Sequence, residues 1–501
     1  MGRQEDPDFR IRMTPIFRFF GLASQASDNT TIPLPQSRIK LQDMCDAQGT
    51  PPAQHLDLDA ACQVEQPECN HIPHKTSVIE RLPHEILACI FEEAYSLENG
   101  LELLFSQVTS QWRNVAINTP RLWRSIHLLV DRPPPPELAA LYLTRSKVTP
   151  IDITVTQNLY DDQNGAFYGK LLADHIHRCR RLKLSVYSME SARTILDFLV
   201  VASAPLLQTF DAYLKSEQQP AIQILLGGTP VLAVMHLRAS AGFLPPLYAV
   251  TTLHIHNIQF ASLIELEHWR DILSSLTHLV SLVINGDFLA SPIWTSGASI
   301  TLPALRTLEI NVVDLDEPES DLFECLYETI DAPLLGCLSL RNYTDDDLAF
   351  LEDSWHLGAT KFPALHTLVL SGLGEEYTYL VPLVRAFPYV ETVTFTGNVQ
   401  ANFHAVLQLL QRADGSDLYW PRFRHLIVSD MLPFDHDDMR DLLAGCLAAR
   451  IIVEKPIETL TIRKSDVYLM CVDDDGLLSQ TGWMDLVRVV EVEGNSGNSE
   501  A

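Results

Sequence analysis

Positive charge is what this chain has least of. Its 501 residues carry 36 lysines and arginines against 64 aspartates and glutamates, a formal charge of -28 with histidine neutral. Such a field repels polyanions, so nucleic acid and anionic membrane are excluded as main partners, while a local basic patch stays allowed. Cysteine is sparse and scattered: nine residues with no Cys-x-x-Cys pair read as reduced thiols, not as a disulfide framework or a redox motif. No apolar run nears the roughly 20 residues of a membrane span. The early run Ile16–Phe20 is too short for a secretory leader and is broken by Arg18. These absences place the chain in the cytoplasm or nucleus, and there the sequons at Asn29 and Asn342 are coincidental.

Catalytic signatures are missing as well. There is no Gly-x-Ser-x-Gly elbow, no Gly-x-x-x-x-Gly-Lys-Ser/Thr phosphate loop and no His-Glu-x-x-His zinc helix. Cys62, Cys69, His71 and His74 cluster, but the interval between the cysteines is longer than zinc modules use. Asp345–Asp347, Asp435–Asp438 and Asp473–Asp475 lack the order of ligands of a calcium loop and read as solvated loop charge. The expectation is a protein without an active site of its own, without metal and without cofactor.

With 47% apolar and 20% charged residues, most of the chain can bury a core. The length suits about three domains, or a long repeat array behind a small module. Residues 1–75, rich in Pro, Gln, Asp and Thr, show no sustained period and are expected to be disordered, with 10–22 a sticky patch in a floppy tail or else a short linear motif or transient helix.

Residues 79–126 are the most informative stretch. Leu82-Pro83 opens a helix, since proline suits a first helical turn. Ile86, Leu87, Ile90, Phe91, Ala94 and Tyr95 then recur at helical spacing. Leu101, Leu104, Phe105 and Val108 form a second periodic run, and Trp112, Val115 and Ala116 lie in a third that Thr119-Pro120 stops. Three helices this short hold more large apolar side chains than they can hide, which points to a surface another protein covers.

The same residues resemble the F-box, the helical module that docks on the Skp-type adaptor of cullin ubiquitin ligases. The likeness runs through Leu82-Pro83-x-Glu85-Ile86-Leu87-x-x-Ile90-Phe91, Ser106-x-Val108, Gln111-Trp112-Arg113-x-Val115-Ala116 and Pro120-x-Leu122-Trp123. It is most similar to the form common in mushroom-forming fungi. The family's cysteine and basic residues after Val108 are replaced by Thr109, Ser110 and Gln111. The resemblance implies adaptor contacts at Leu82, Pro83, Glu85, Ile86, Leu87, Ile90, Phe91, Val108 and Trp112. The rival reading is an unrelated three-helix bundle with the same packing needs.

Beyond a strand-like segment at 126–130, Pro133–Pro136 reads as an extended connector, 137–146 as a short helix and 151–155 as a strand. A pattern of apolar, two residues, apolar, one residue, apolar then repeats. It starts at Cys179, Leu207, Leu232, Val250, Leu279, Leu305, Leu335, Leu365, Val390, Phe423 and Ile457. The intervals are 28, 25, 18, 29, 26, 30, 30, 25, 33 and 34 residues. Two apolar residues two apart share one strand face, and the stretches 321–330 and 403–410 between strands have helical periodicity. Pro205, Pro333, Pro363 and Pro388 mark turns into strands. This pattern resembles leucine-rich repeats, although only Asn398 fills the asparagine position usual three places after the last strand leucine. The rival is a general α/β protein.

The expected fold is therefore α/β: a three-helix F-box at 76–126, a leucine-rich-repeat-like solenoid (a horseshoe) at 127–490 capped by a strand within 484–492, and a loose tail at 491–501. The resemblance puts alternate strand residues on the open concave face. Arg181, Lys183, Ser185, Thr209, Asp211, Tyr213, Val234, His236, Arg238, Thr252, His254 and His256 make its early part basic and imidazole-rich. Arg181, Lys183, His236, Arg238, His254 and His256 are the candidate target-binding residues, with histidines that charge near pH 6. Later strands offer neutral Thr367, Val369, Ser371, Thr392, Thr394 and Thr396. The implied role is that of a substrate receptor: the F-box holds the adaptor and through it the cullin, and the solenoid holds an acidic or phosphorylated target. The alternative is a scaffold without a ligase role.

Overall fold

The computed structural model describes residues 78–98, 100–129, 136–157, 165–186, 189–214, 222–238, 243–257, 263–286, 299–311, 322–343, 348, 350–354, 361–371, 380–396, 400–411, 419–429, 436–463, 484 and 486–492. All of them lie in one compact unit, Thr76–Ala501. The cluster Cys62–His74, the segment 10–22 and Asp345–Asp347 fall outside the described residues.

Three helices come first, His84–Leu97, Leu101–Val108 and Ser110–Asn118, followed by a 3-10 turn at Pro120–Trp123. Pro83 stands just before the first helical residue, with ψ 148°. Leu87, Phe91 and Tyr95 of the first helix pack on Phe105, Trp112, Val115, Ala116, Leu122 and Trp123. Phe91 stacks on Phe105 with ring centroids 4.3 Å apart and leans on Trp112 at 4.9 Å.

The polar motif residues fasten this core. Thr109 Oγ1 accepts the Trp112 N–H at 3.1 Å and caps the third helix. Gln111 Nε2 donates to the Leu82 carbonyl and Arg113 Nε to the Ser106 carbonyl. The Trp123 indole donates to the Ala116 carbonyl at 2.8 Å. Threonine after Val108 thus has a structural job, because its hydroxyl satisfies a donor that a helix start leaves open.

The strands are β1 (Ser125–Leu129), β2 (Ile151–Thr156), β3 (Cys179–Val186), β4 (Thr209–Leu214), β5 (Ile222–Gln223), β6 (Val234–Arg238), β7 (Phe243–Leu244), β8 (Thr252–His256) and β9 (Ser281–Asn285). There follow β10 (Ile300–Thr301), β11 (Thr307–Asn311), β12 (Ile330–Asp331), β13 (Cys337–Arg341), β14 (Thr367–Ser371), β15 (Thr392–Thr396), β16 (His425–Ser429), β17 (Thr459–Arg463) and β18 (Arg488–Val492). Fourteen form one sheet in the order β1-β2-β3-β4-β6-β8-β9-β11-β13-β14-β15-β16-β17-β18. The chain is therefore mixed α/β with a large sheet in which each new strand is laid parallel beside the one before it.

The repeat explains this order. Leu305 is buried ahead of β11, and Leu308 and Ile310 point to the covered face while Thr307 and Glu309 are only half-buried. Leu308 pairs with Leu282 on one side and Leu338 on the other, and Leu368, Val393 and Leu426 continue the column. All are buried. A parallel strand adjacent in sequence needs a crossover, and helices supply many of them, among them Gly165–His175, Leu263–Ser275, Leu322–Thr329, Gln400–Gln411 and His436–Ile452. The short interval between β6 and β8 holds β7 instead, which pairs with β5.

Proline sets the turns. The N–H of Leu207, Leu305, Leu335 and Leu365 donates to the carbonyl three residues earlier, with Pro205, Pro303, Pro333 and Pro363 in between. This is the second position of a β-turn, where a fixed φ is already right. At the other end of several strands the backbone turns left-handed: Asn257 (φ 48°), Gly286 (φ 78°) and Asn342 (φ 56°) stand two places after Ile255, Ile284 and Leu340. The asparagine signal is thus one residue earlier than expected from the family pattern, at a conformation asparagine and glycine tolerate.

One local expectation is corrected. Pro136 is not part of an extended connector but the first residue of the helix Pro136–Arg145, where its missing N–H leaves no bond unmade.

Two buried arginines lock edges. Arg178 donates to the carbonyls of Leu143, Lys147 and Thr149 and to Ser146 Oγ. Arg450, fully buried, donates to those of Tyr419, Trp420, Phe423 and Lys455.

Candidate functional site

Two surfaces stand out. The first is on the helices. Successive helical residues are 100° apart, so Leu87 and Phe91 form one stripe and Ile86 and Ile90 the next. The second and third helices cover the first stripe, leaving Leu87 and Phe91 at 1% exposure each. Ile86 stays 49% exposed and Ile90 36%. Leu103, Leu104 and Val108 on the second helix are exposed too.

The nine residues implied by the F-box resemblance are thus divided. Leu87, Phe91 and Trp112 are core; Leu82 is half-buried with its carbonyl held by Gln111; Pro83, Glu85, Ile86, Ile90 and Val108 face outward.

The second surface lies on β3, β4, β6 and β8, four consecutive strands of the sheet. In register, Lys183 stands beside Asp211, Asp211 beside His236 and His236 beside His254. Arg238 stands between Tyr213 and His256. All six candidate residues are therefore on neighbouring rows. Arg181, Lys183 and Arg238 are exposed and the three histidines half-buried.

Charge here is more balanced than the sequence suggests. Lys183 Nζ is 3.8 Å from Asp211 Oδ2, and Arg180 is paired with Asp152 at 2.6 Å. Among the described residues, Arg181 and Arg238 make no ion pair.

The histidines differ from expectation. Burial lowers the pKa of His236, His254 and His256, and the neighbouring imidazoles and Arg238 push that of His254 down further, to about 4. The His236 and His254 rings are 4.4 Å apart, and His256 Nδ1 lies 2.8 Å from Asn285 Nδ2, so it accepts from the amide. His254 is therefore a neutral hydrogen-bonding group near pH 6, and at His236 and His256 burial disfavours the cation in the same direction.

No cluster of three or more metal-ligating side chains occurs among the described residues. No described helix is long and apolar enough to cross a membrane. No model of a known family matches the chain, and no curated protein matches it.

Proposed function

We propose that this chain is a substrate receptor of a Skp–cullin–F-box ubiquitin ligase, with an F-box at 76–126 and a leucine-rich-repeat-like solenoid behind it. The observation that carries the reading is a helical module whose core is already complete yet which leaves Ile86, Ile90, Leu103, Leu104 and Val108 in water. Nothing in the module's own packing needs them. Covering one such side chain contributes about 1.5–3 kcal/mol, enough for a specific docking face. Pro83 and Glu85 lie at its edge and the Skp-type adaptor is its occupant. The sheet supports the other half of the role: Arg181 and Arg238 offer charge for the carboxylate or phosphate groups of a target protein, arginine through paired hydrogen bonds. The chain then supplies proximity and not chemistry.

The test is binding to a purified Skp-type adaptor. Ile86→Asp with Ile90→Asp is expected to weaken binding more than tenfold while the helices stay folded, since both side chains are outside the core. Leu82→Ala with Pro83→Ala is expected to act in the same direction. Unchanged affinity in the aspartate pair would overturn the reading. Capture of cullin along with adaptor distinguishes a receptor from a scaffold that binds adaptor alone.

A further inference from the structure

We infer that a cavity between the helical module and the first strand is a binding site for an ammonium group. The cavity measures about 260 Å³, and its walls include Tyr95, Glu102, Ser125, His127, Ala139 and Tyr142. It is lined from the first helix, the second helix, β1 and the helix Pro136–Arg145. His127 is exposed, and so opens one side to solvent.

Glu102 is the reason to expect a cation. It is only 4% exposed, in the first turn of a short helix, where a carboxylate suits the helix dipole but does not have to be buried. One oxygen, Oε1, accepts the Tyr142 O–H at 2.5 Å. The other, Oε2, is shielded from water and has no hydrogen-bond partner. Glu102 makes no ion pair among the described residues. Two guanidiniums are nearby, Arg124 6.0 Å from the Tyr95 ring centroid and Arg145 4.3 Å from that of Trp123, and neither pairs with Glu102. A buried anion is normally paired or well hydrogen-bonded. Here a counter-charge is missing beside an open space.

The walls select the kind of cation. Tyr95 and Tyr142 are among the lining residues, and aromatic rings attract alkylammonium groups. Burial and the neighbouring Glu102 push the Tyr142 phenol upward, so it stays protonated and keeps donating to the carboxylate. A divalent metal is disfavoured, because a single carboxylate is a poor ligand set. The volume falls below that of drug-sized pockets and suits an ammonium with a short alkyl stem. A small free amine and the side chain of a protein lysine share this chemistry.

The experiment is calorimetric titration of the full chain with n-butylammonium, n-butanol and butyrate, which match in size and differ in charge. Butylammonium is expected to bind at least tenfold more tightly than butanol, and butyrate not at all. Glu102→Gln keeps an amide oxygen for Tyr142 and removes the charge, so the preference for the ammonium is expected to vanish. Ala139→Phe fills the space and should abolish binding even if the glutamine variant fails to fold. A peptide carrying one lysine separates the sources: binding equal to butylammonium assigns a protein lysine, and none assigns a free amine. Butylammonium bound no better than butanol, or bound equally by Ala139→Phe, would mean that the cavity holds only water and would overturn the inference.

Discussion

Replacing Arg450 by methionine should unlock the C-terminal part of the sheet. The guanidinium is 0% exposed and donates to four carbonyls, those of Lys455 at 2.9 Å, Tyr419 at 3.0 Å, Trp420 at 3.1 Å and Phe423 at 3.3 Å. Among the described residues no carboxylate pairs with it, and burial lowers its pKa. Hydrogen bonds from a charged donor contribute about 1.5–3 kcal/mol each, or about 6–12 for four. Taking the cation out of water offsets several kcal/mol of that sum. Methionine fills much of the space but takes the side-chain donor from all four carbonyls, of which that of Trp420 still accepts the Phe423 N–H, so the net loss should be about 3–5 kcal/mol. The carbonyls belong to two turns, one with Trp420 at φ 46° and one with Glu454 at φ 57°, and loosening them should show locally. Lysine should rescue less than half of the loss, since its ammonium cannot span the fork. Urea unfolding followed by tryptophan fluorescence measures this, and because a stacked array need not unfold as one unit, hydrogen exchange of 419–463 locates it. An Arg450→Met variant within about 1 kcal/mol of the parent, with unaltered exchange at 419–429, would refute the reasoning.

Three further outcomes are expected. Leu368→Ala should destabilise by about 2–5 kcal/mol by leaving a cavity between Leu338 and Val393, while neighbouring Thr367→Ala should change stability by under about 0.5 kcal/mol; equal effects in urea titrations would mean the strand faces are misassigned. Because His254 is lowered to about 4 in the folded protein against 6.5 as its ordinary value, the unfolded chain binds the extra proton first. Stability should be full above pH 6.5 and fall as pH drops toward 4, by at most about 3.5 kcal/mol at about 1.4 kcal/mol per pH unit. A His254→Asn variant should show a shallower fall in the same titration, and an identical curve would remove the histidine's role. Arg181→Glu with Arg238→Glu should abolish target capture and its salt dependence while adaptor binding persists, and capture indifferent to salt in the parent would contradict a charge-reading surface.

Much of the fold was legible because its causes are local. Leu305, Leu308 and Ile310 occupy fixed intervals, and a strand's two-residue period turns those intervals into one buried face whatever surrounds it. The prolines before strands act in the same way, through a φ fixed by the ring. What stayed hidden depends on partners far along the chain. Ile86 and Leu87 are equally apolar, and only the docking of the second and third helices decides which one is covered. Lys183 faces Asp211 because β3 and β4 pair in one register, so its charge is answered by a residue the sequence places 28 positions away. The histidines look like acid sensors in the sequence, yet burial and, at His254, the neighbours across strands lower their pKa values. Glu102 meets Tyr142 across 40 positions and Arg450 reaches back about 30 to Tyr419 and Trp420. Apolar spacing by itself determined the strands of the large sheet, their faces and the three helices, since burial of alternate side chains is written into short range, but not the short pairs β5–β7 and β10–β12. Which charges are paired, which apolar residues remain in water and which proton equilibria shift was decided only by tertiary structure, because Coulomb and desolvation energies depend on distances that the chain order does not contain.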